Sequence, residues 1–207
     1  MVALRKTVSE AEYLERDRTS PIKLELVAGE IFAMAGAKLS HNRIERNIIR
    51  HVENQLATGA CEVLPSDMRV KTPSGLYAYP DLTVVCGEPQ LDSDEHLDTL
   101  LNPVVIIEVL SDSTEMFDRG EKFHAYRTIP SLQEYILIAQ DTRHVEHFLR
   151  QGDSWIYTDA TAPDSVITLP SIGCTLALAE VYRKVVFVQP ERADDGDVGD
   201  EAGGAER

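Results

Sequence analysis

The chain has 207 residues, of which 43% are hydrophobic and 27% charged, a globular composition that excludes wholesale disorder. Its length suits one domain with a substantial core. The formal charge of −15, from 20 Lys and Arg against 35 Asp and Glu, argues against a basic protein that coats nucleic acid.

In chain order, Thr7-Val-Ser-Glu10 has the spacing of a capping box and predicts a short helix to about Arg16. Lys23–Val27 and Glu30–Ala35, joined at Ala28-Gly29, read as a β-hairpin. Ser40 precedes His41–Leu56, where Ile44, Ile48, Val52 and Leu56 recur every four residues and define one apolar helix face. Cys61–Lys71 and Leu76–Val85 around Pro73-Ser-Gly75 read as a second hairpin, followed by an acidic loop, Gly87–Asp98. Val104–Leu110 is a continuous apolar run, as expected of a strand buried on both faces. Asp112 with Glu115 suggests a cap for a helix to Arg127. Leu132–Ala139 and His144–Leu149 read as strands around a turn, with shorter strands at Trp155–Thr158 and Val166–Leu169 and a short helix at Leu178–Tyr182. This order predicts an α+β or α/β domain over 1–190, with a central mixed sheet flanked by helices and an N-terminal hairpin. In 191–207, seven acids against two bases give the tail −5 and leave −10 on the rest. With so little apolar surface the tail is expected to be disordered.

Cys61, Cys86 and Cys174 are odd in number, far apart and never in a CxxC spacing, so a disulfide framework or zinc knuckle is not expected and a reducing compartment fits. The charged N-terminus has no signal-like apolar run, and no stretch approaches the roughly 18 apolar residues that span a bilayer. A soluble, cytoplasmic protein without a membrane partner is expected.

Two carboxylates stand out. Glu108 lies inside Val-Val-Ile-Ile-Glu-Val-Leu, where burial is costly unless a cation, a hydrogen-bond network or a metal compensates. Asp81 follows Pro80 and opens another apolar strand, Leu-Thr-Val-Val. Carboxylates at the ends of neighbouring strands make a hard oxygen site suited to Mg²⁺. The plainer alternative is a salt bridge from Lys122 or Arg119 to Glu108. Asp118 and Lys122 are i,i+4 neighbours, and the bland reading is a surface ion pair. Gly120 between them costs about 1 kcal/mol relative to Ala mid-helix. Close approach of the helix to a strand would explain it and would bring Lys122 toward Glu108.

Pro80-Asp81, Val105-Ile-Ile-Glu108-Val-Leu-Ser111-Asp-Ser113-Thr114, Asp118-Arg-Gly-Glu-Lys122 and Pro130-Ser-Leu-Gln-Glu134-Tyr135 together resemble the Uma-type putative restriction endonuclease family, a branch of the PD-(D/E)XK nucleases. Leu26-Val-Ala-Gly29-Glu30, Ala35-Gly36, Ser40-His41 and Pro65-Ser-Asp67-Met-Arg69-Val also fit, and the resemblance covers about residues 8–183. It implies a restriction-endonuclease-like fold and Mg²⁺-dependent hydrolysis of DNA, with Mn²⁺ able to substitute. By the same resemblance Asp81 and Glu108 are catalytic metal ligands, the Val109 carbonyl is a further ligand, and Lys122 is the catalytic lysine. The chain departs from the superfamily at Leu110, where (D/E)XK places its lysine; the role then passes to Lys122 on the helix. Glu25, Glu30 and Glu45 are candidates for an additional acid, with Glu25 preferred, and all three also read as surface charge. His41 at the helix start is a candidate phosphate contact or a structural histidine.

Cleaving both strands of a duplex calls for two sites, so a homodimer is expected. Arg43, Arg46, Arg50, Arg69, Lys71 and Arg119 are available for a local basic patch. His144 and His147, three apart on a strand, point to opposite faces and do not suggest a metal site. Ser111, Ser113 and Thr114 read as capping residues, and Glu134-Tyr135 as structural support. A non-catalytic binding or regulatory protein with the nuclease fold is the alternative, favoured by the missing strand lysine and the acidic body.

Overall fold

A computed structural model of the chain describes residues 7–34, 36–92 and 98–187. The expected disorder of 191–207 concerns residues outside these.

Helix α1 (Glu10–Thr19) starts two residues later than the capping-box spacing suggests. Ser9, not Thr7, is the cap, and its hydroxyl accepts the Glu12 amide at 3.2 Å. The hairpin of β1 (Leu24–Val27) and β2 (Glu30–Ala33) turns at Ala28 and Gly29, with φ of 49° and 80°. Both are left-handed, as a two-residue hairpin turn with native twist requires. Helix α2 (Leu39–Leu56) buries Ile44, Ile48, Val52 and Leu56, the face legible in the sequence, and also Asn47. The Asn47 amide donates to the carbonyls of Val181 and Arg183.

The second hairpin is divided between two sheets. Its inner strands, β4 (Arg69–Lys71) and β5 (Tyr77–Ala78), pair with each other. Its outer strands, β3 (Cys61–Pro65) and β6 (Leu82–Cys86), pair in the other sheet. Then follow β7 (Thr99–Leu100) and the fully buried β8 (Val105–Leu110). Next is a helical segment made of α3 (Glu115–Phe117), a π-helical turn (Asp118–Lys122) and α4 (Phe123–Tyr126). Strands β9 (Glu134–Ala139), β10 (Val145–Gln151), β11 (Ser154–Ala160), β12 (Val166–Leu169) and β13 (Cys174–Ala177) lead to α5 (Leu178–Val181). Strand β13 has no counterpart in the sequence reading.

The central mixed sheet has the order β11-β10-β9-β8-β6-β3, and its β8–β9 pair is parallel. Parallel neighbours need a crossover, which the helical segment supplies. A second sheet, β2-β1-β5-β4-β7, contains the N-terminal hairpin, and β12-β13 form a separate pair. The odd positions of β8 (Val105, Ile107, Val109) face α2 in one core. Ile106 and Leu110 face Tyr126, Ile129 and Leu132 in another. That period of two puts Glu108 on the side of the crossover helix.

Two expectations are corrected. Cys61 and Cys86 are register partners across β3 and β6 and form a disulfide, so the spacing argument fails: pairing across a sheet needs no sequence proximity. Gly120 does not mark a close approach, since a Cβ there would meet nothing within 4 Å. It lies in the π-helical turn.

The disulfide ties the edge strand β3 to the sheet and closes a loop of 25 residues in the unfolded chain. Cys86→Ser should lower unfolding free energy by about 3 kcal/mol, read from urea denaturation, and added reductant should lower the unsubstituted protein by a similar amount.

Candidate active site

Antiparallel pairing of β6 with β8 sets Leu82 opposite Ile107, so Asp81 and Glu108 meet at the next position. Each is held by the other's backbone. Asp81 Oδ2 accepts the Val109 amide at 2.6 Å, and Glu108 Oε2 accepts the Asp81 amide at 3.4 Å. The remaining oxygens reach to opposite sides. Asp81 Oδ1 lies 3.3 Å from His41 Nε2 on α2, and Glu108 Oε1 accepts from the Tyr126 hydroxyl at 3.1 Å.

Lys122 completes the site. Its Nζ lies 3.3 Å from Glu108, 3.2 Å from Glu25 and 3.2 Å from Asp118. All four side chains are buried, so the Asp118–Lys122 pair is not a surface pair. Glu25 is placed by the β1 register and accepts the Tyr79 amide at 3.0 Å, which fixes the segment leading into Pro80-Asp81. Tyr135 on β9 donates to the Asp118 carbonyl at 3.0 Å and anchors the π-helical turn.

Burial pushes the Glu108 carboxyl well above its usual range, against the pull of the Lys122 charge. Burial raises Asp118 as well. Burial alone would lower Lys122, but Glu108, Glu25 and Asp118 outweigh it and the ammonium holds its proton more firmly than usual. For His41, burial is outweighed by the hydrogen bond and charge of Asp81, and its pKa rises. Glu45, one turn beyond His41, is half-buried on the same side; burial and the Asp81 charge raise it. Glu30 is exposed at the start of β2.

The structure therefore brings Asp81, Glu108, Lys122, Glu25 and His41 together, with Val109 at the centre. Asp118 and Tyr126 were not read from the sequence as part of the site. Their four-residue spacing around Lys122 on one helix face is the signal that could have found them. Four carboxylates (Glu25, Asp81, Glu108, Asp118) face one lysine, an excess of acidic groups that a divalent cation would offset in part. Among the described residues, no three His, Cys, Asp or Glu side chains are placed to hold one metal ion. A metal ion at the Asp81–Glu108 pair would have those two carboxylates, and by the resemblance the Val109 carbonyl, as its protein ligands. That fits Mg²⁺, which binds through one or two carboxylates and keeps several waters.

The other expected residues go elsewhere. Arg69 is buried on Asp17 at 2.9 Å, Arg50 pairs with Glu180, Lys71 with Glu10 and Asp92, and Arg119 with Glu146 and Glu115. They are not a free basic patch. Arg43 and Arg46 make no ion pair among the described residues. Ser111, Ser113 and Thr114 bond one another through their hydroxyls rather than capping, and Asp112 pairs with Lys38 at 2.9 Å. His147 pairs with buried Glu134 at 2.5 Å and His144 with Asp159.

Residues 10–179 match Uma2, described as putative restriction endonuclease. The chain belongs to the Uma2 family. It is 39% identical over 169 residues to the Synechocystis sp. protein sll1609, covering 81% of this chain and 95% of that one. With slr1290 of the same organism it shares 31% over 182 residues, 87% and 94% of the two chains. A crystal structure of a putative nuclease of the DUF820 group from Anabaena variabilis superposes with a TM-score of 0.69 at 17% identity, over 86% of this chain and 98% of that one. That likeness shows the nuclease-type α+β fold of this Uma2 protein. No helix among the described residues is long and apolar enough to cross a membrane.

Two measurements test the electrostatics. Lys122→Met leaves buried carboxylates uncompensated and should cost about 3–5 kcal/mol in urea unfolding. Glu108 has a native pKa above its ordinary 4.5, so at pH values between the two the folded state binds a proton that the unfolded chain has lost. Its contribution is full below that value and declines as pH rises through the native pKa. Glu108→Gln should flatten this decline in a series of thermal midpoints against pH.

Proposed function

We propose that this Uma2 protein is a metal-dependent endonuclease that hydrolyses phosphodiester bonds of DNA. The observation that carries the reading is the reciprocal clasp of Asp81 and Glu108, each fixed by a backbone amide at the other's strand, with Lys122 beside them. Asp81, Glu108 and the Val109 carbonyl would hold Mg²⁺, with Mn²⁺ as a substitute. When bound there, the ion supplies a Lewis acid for a phosphoryl oxygen and an acidified water.

The protein's own groups do the rest. Lys122, locked on three carboxylates, keeps its charge and sets the orientation of Glu108 on one side, and the Tyr126 hydroxyl holds the same oxygen. A fixed positive charge beside the reacting phosphate stabilises the charge that develops on it. His41 orients Asp81 from the opposite side and would contact phosphate there. A helix lysine in contact with the Glu108 carboxylate replaces the strand lysine, whose position is taken by buried Leu110. The reading includes a homodimer, so that two sites can address a duplex.

A second reading has a specific observation in its favour. Lys122 is fully buried and already matched by three carboxylates, as in an internal ion-pair network of a non-catalytic binding or regulatory protein. Calorimetry separates the two: the nuclease reading requires Mg²⁺ or Mn²⁺ binding that Asp81→Asn abolishes.

Cleavage should require the ion and should fall by at least about 10²-fold in Asp81→Asn and in Glu108→Gln, with circular dichroism unchanged. Assays on single- and double-stranded DNA and RNA define the substrate. Full cleavage by both variants would sink the assignment.

A further inference from the structure

An exposed aromatic ring stands beside the carboxylate cluster. Phe32 on β2 is 44% exposed, and it lies opposite Glu25 in the β1–β2 register. Directly opposed residues of an antiparallel pair project to the same face, so the ring shares the face of the carboxylate that binds Lys122. It stacks on Phe117, with centroids 5.8 Å apart and planes at 29°. The Phe117 ring in turn lies 5.6 Å from Lys122 Nζ. A continuous path runs from the buried ammonium through Phe117 to the solvent-facing Phe32 ring, and Met116, which precedes Phe117, is 91% exposed.

The charge distribution says what such a ring can take. Arg50, Arg69, Lys71 and Arg119 are committed to carboxylates of the protein itself. Grip on phosphates, the main handle on a duplex, is therefore weak. The π-face of a base is a neutral handle, reachable only when the base is unpaired.

We propose that Phe32, backed by Phe117, is a stacking platform for an unpaired nucleobase of the substrate, and that the strand entering the site is single-stranded DNA. The inference rests on the nuclease reading and adds to it the substrate class.

The test uses the full chain with Ca²⁺ in place of Mg²⁺ and a short DNA strand carrying 2-aminopurine, offered alone and as a duplex. The single strand should bind more tightly than the duplex, with its fluorescence quenched. Phe32→Leu should weaken that binding about tenfold or more, the scale of one base–aromatic stack. Phe32→Trp should retain it. Equal binding by Phe32→Leu, or tighter binding of the duplex, overturns the proposal. Quenching by the unsubstituted protein is an independent readout, and its absence overturns the proposal even where Phe32→Leu fails to fold. Cleavage that depends on Glu108 together with indifference to Phe32 removes the platform and leaves the nuclease reading intact. Phe32-dependent quenching in a protein that cleaves nothing keeps the platform and removes that reading.

Discussion

The buried ammonium of Lys122 is the constraint on which the site depends. It joins Glu25 of the second sheet, Glu108 of the central sheet and Asp118 of the crossover helix. Three separate elements are thus held to one point by a single charge. Each carboxylate alone would be costly to bury, and so would the lysine. Together they fix how the hairpin sheet, the central sheet and the crossover meet. The same arrangement leaves the local charge negative, which makes the position of Asp81 chemically useful.

The apolar framework explains how that polar cluster survives. Glu108 sits between Ile106 and Leu110 on a strand with every residue buried. Its face is closed by Tyr126, and Tyr135 anchors the π-helical turn from below. Tyrosine suits this task because its ring packs as a hydrophobe while its hydroxyl satisfies a buried acceptor. The π-helical turn spans Asp118–Lys122, the two ends of a buried ion pair, and such turns often occur at functional positions. On the other face, α2 packs against the odd positions of β8 and delivers His41 to Asp81. The two faces of the sheet therefore supply different chemistry to one pair of carboxylates.

Much of this was legible in the sequence. A carboxylate within Val-Val-Ile-Ile-Glu-Val-Leu contradicts its own surroundings, and contradictions of local pattern mark functional positions. The apolar face of α2 and the Ala28-Gly29 turn were legible because they rest on local periodicity and local backbone conformation. What depended on pairing over distance was not. The split of the second hairpin between two sheets, the Cys61–Cys86 partnership and the extra strand β13 follow from register, which residue spacing does not encode. Gly120 invited a steric explanation that open space around it rules out. Arg69 looked like a surface cation because nothing in its neighbourhood announced Asp17 as a buried partner.

The net charge takes on a different meaning once the ion pairs are placed. A charge of −15 describes the whole chain, but the surface a substrate meets is set by which charges are already neutralised. Four of the six basic residues that might have formed a patch are spent on internal carboxylates, and two of those partners, Asp17 and Glu146, are themselves buried. Arg43 and Arg46, both on α2, are left. At long range this protein and a polyanion therefore repel each other, and the repulsion is screened within about 10 Å at 0.1 M salt. On the proposed reading, affinity would come from short-range terms: a cation held between Asp81 and Glu108, and apolar or stacking contact at the rim. An acidic nuclease-type fold is then no paradox, because the negative charge that repels substrate at a distance also builds the site where a divalent metal would offset most of it.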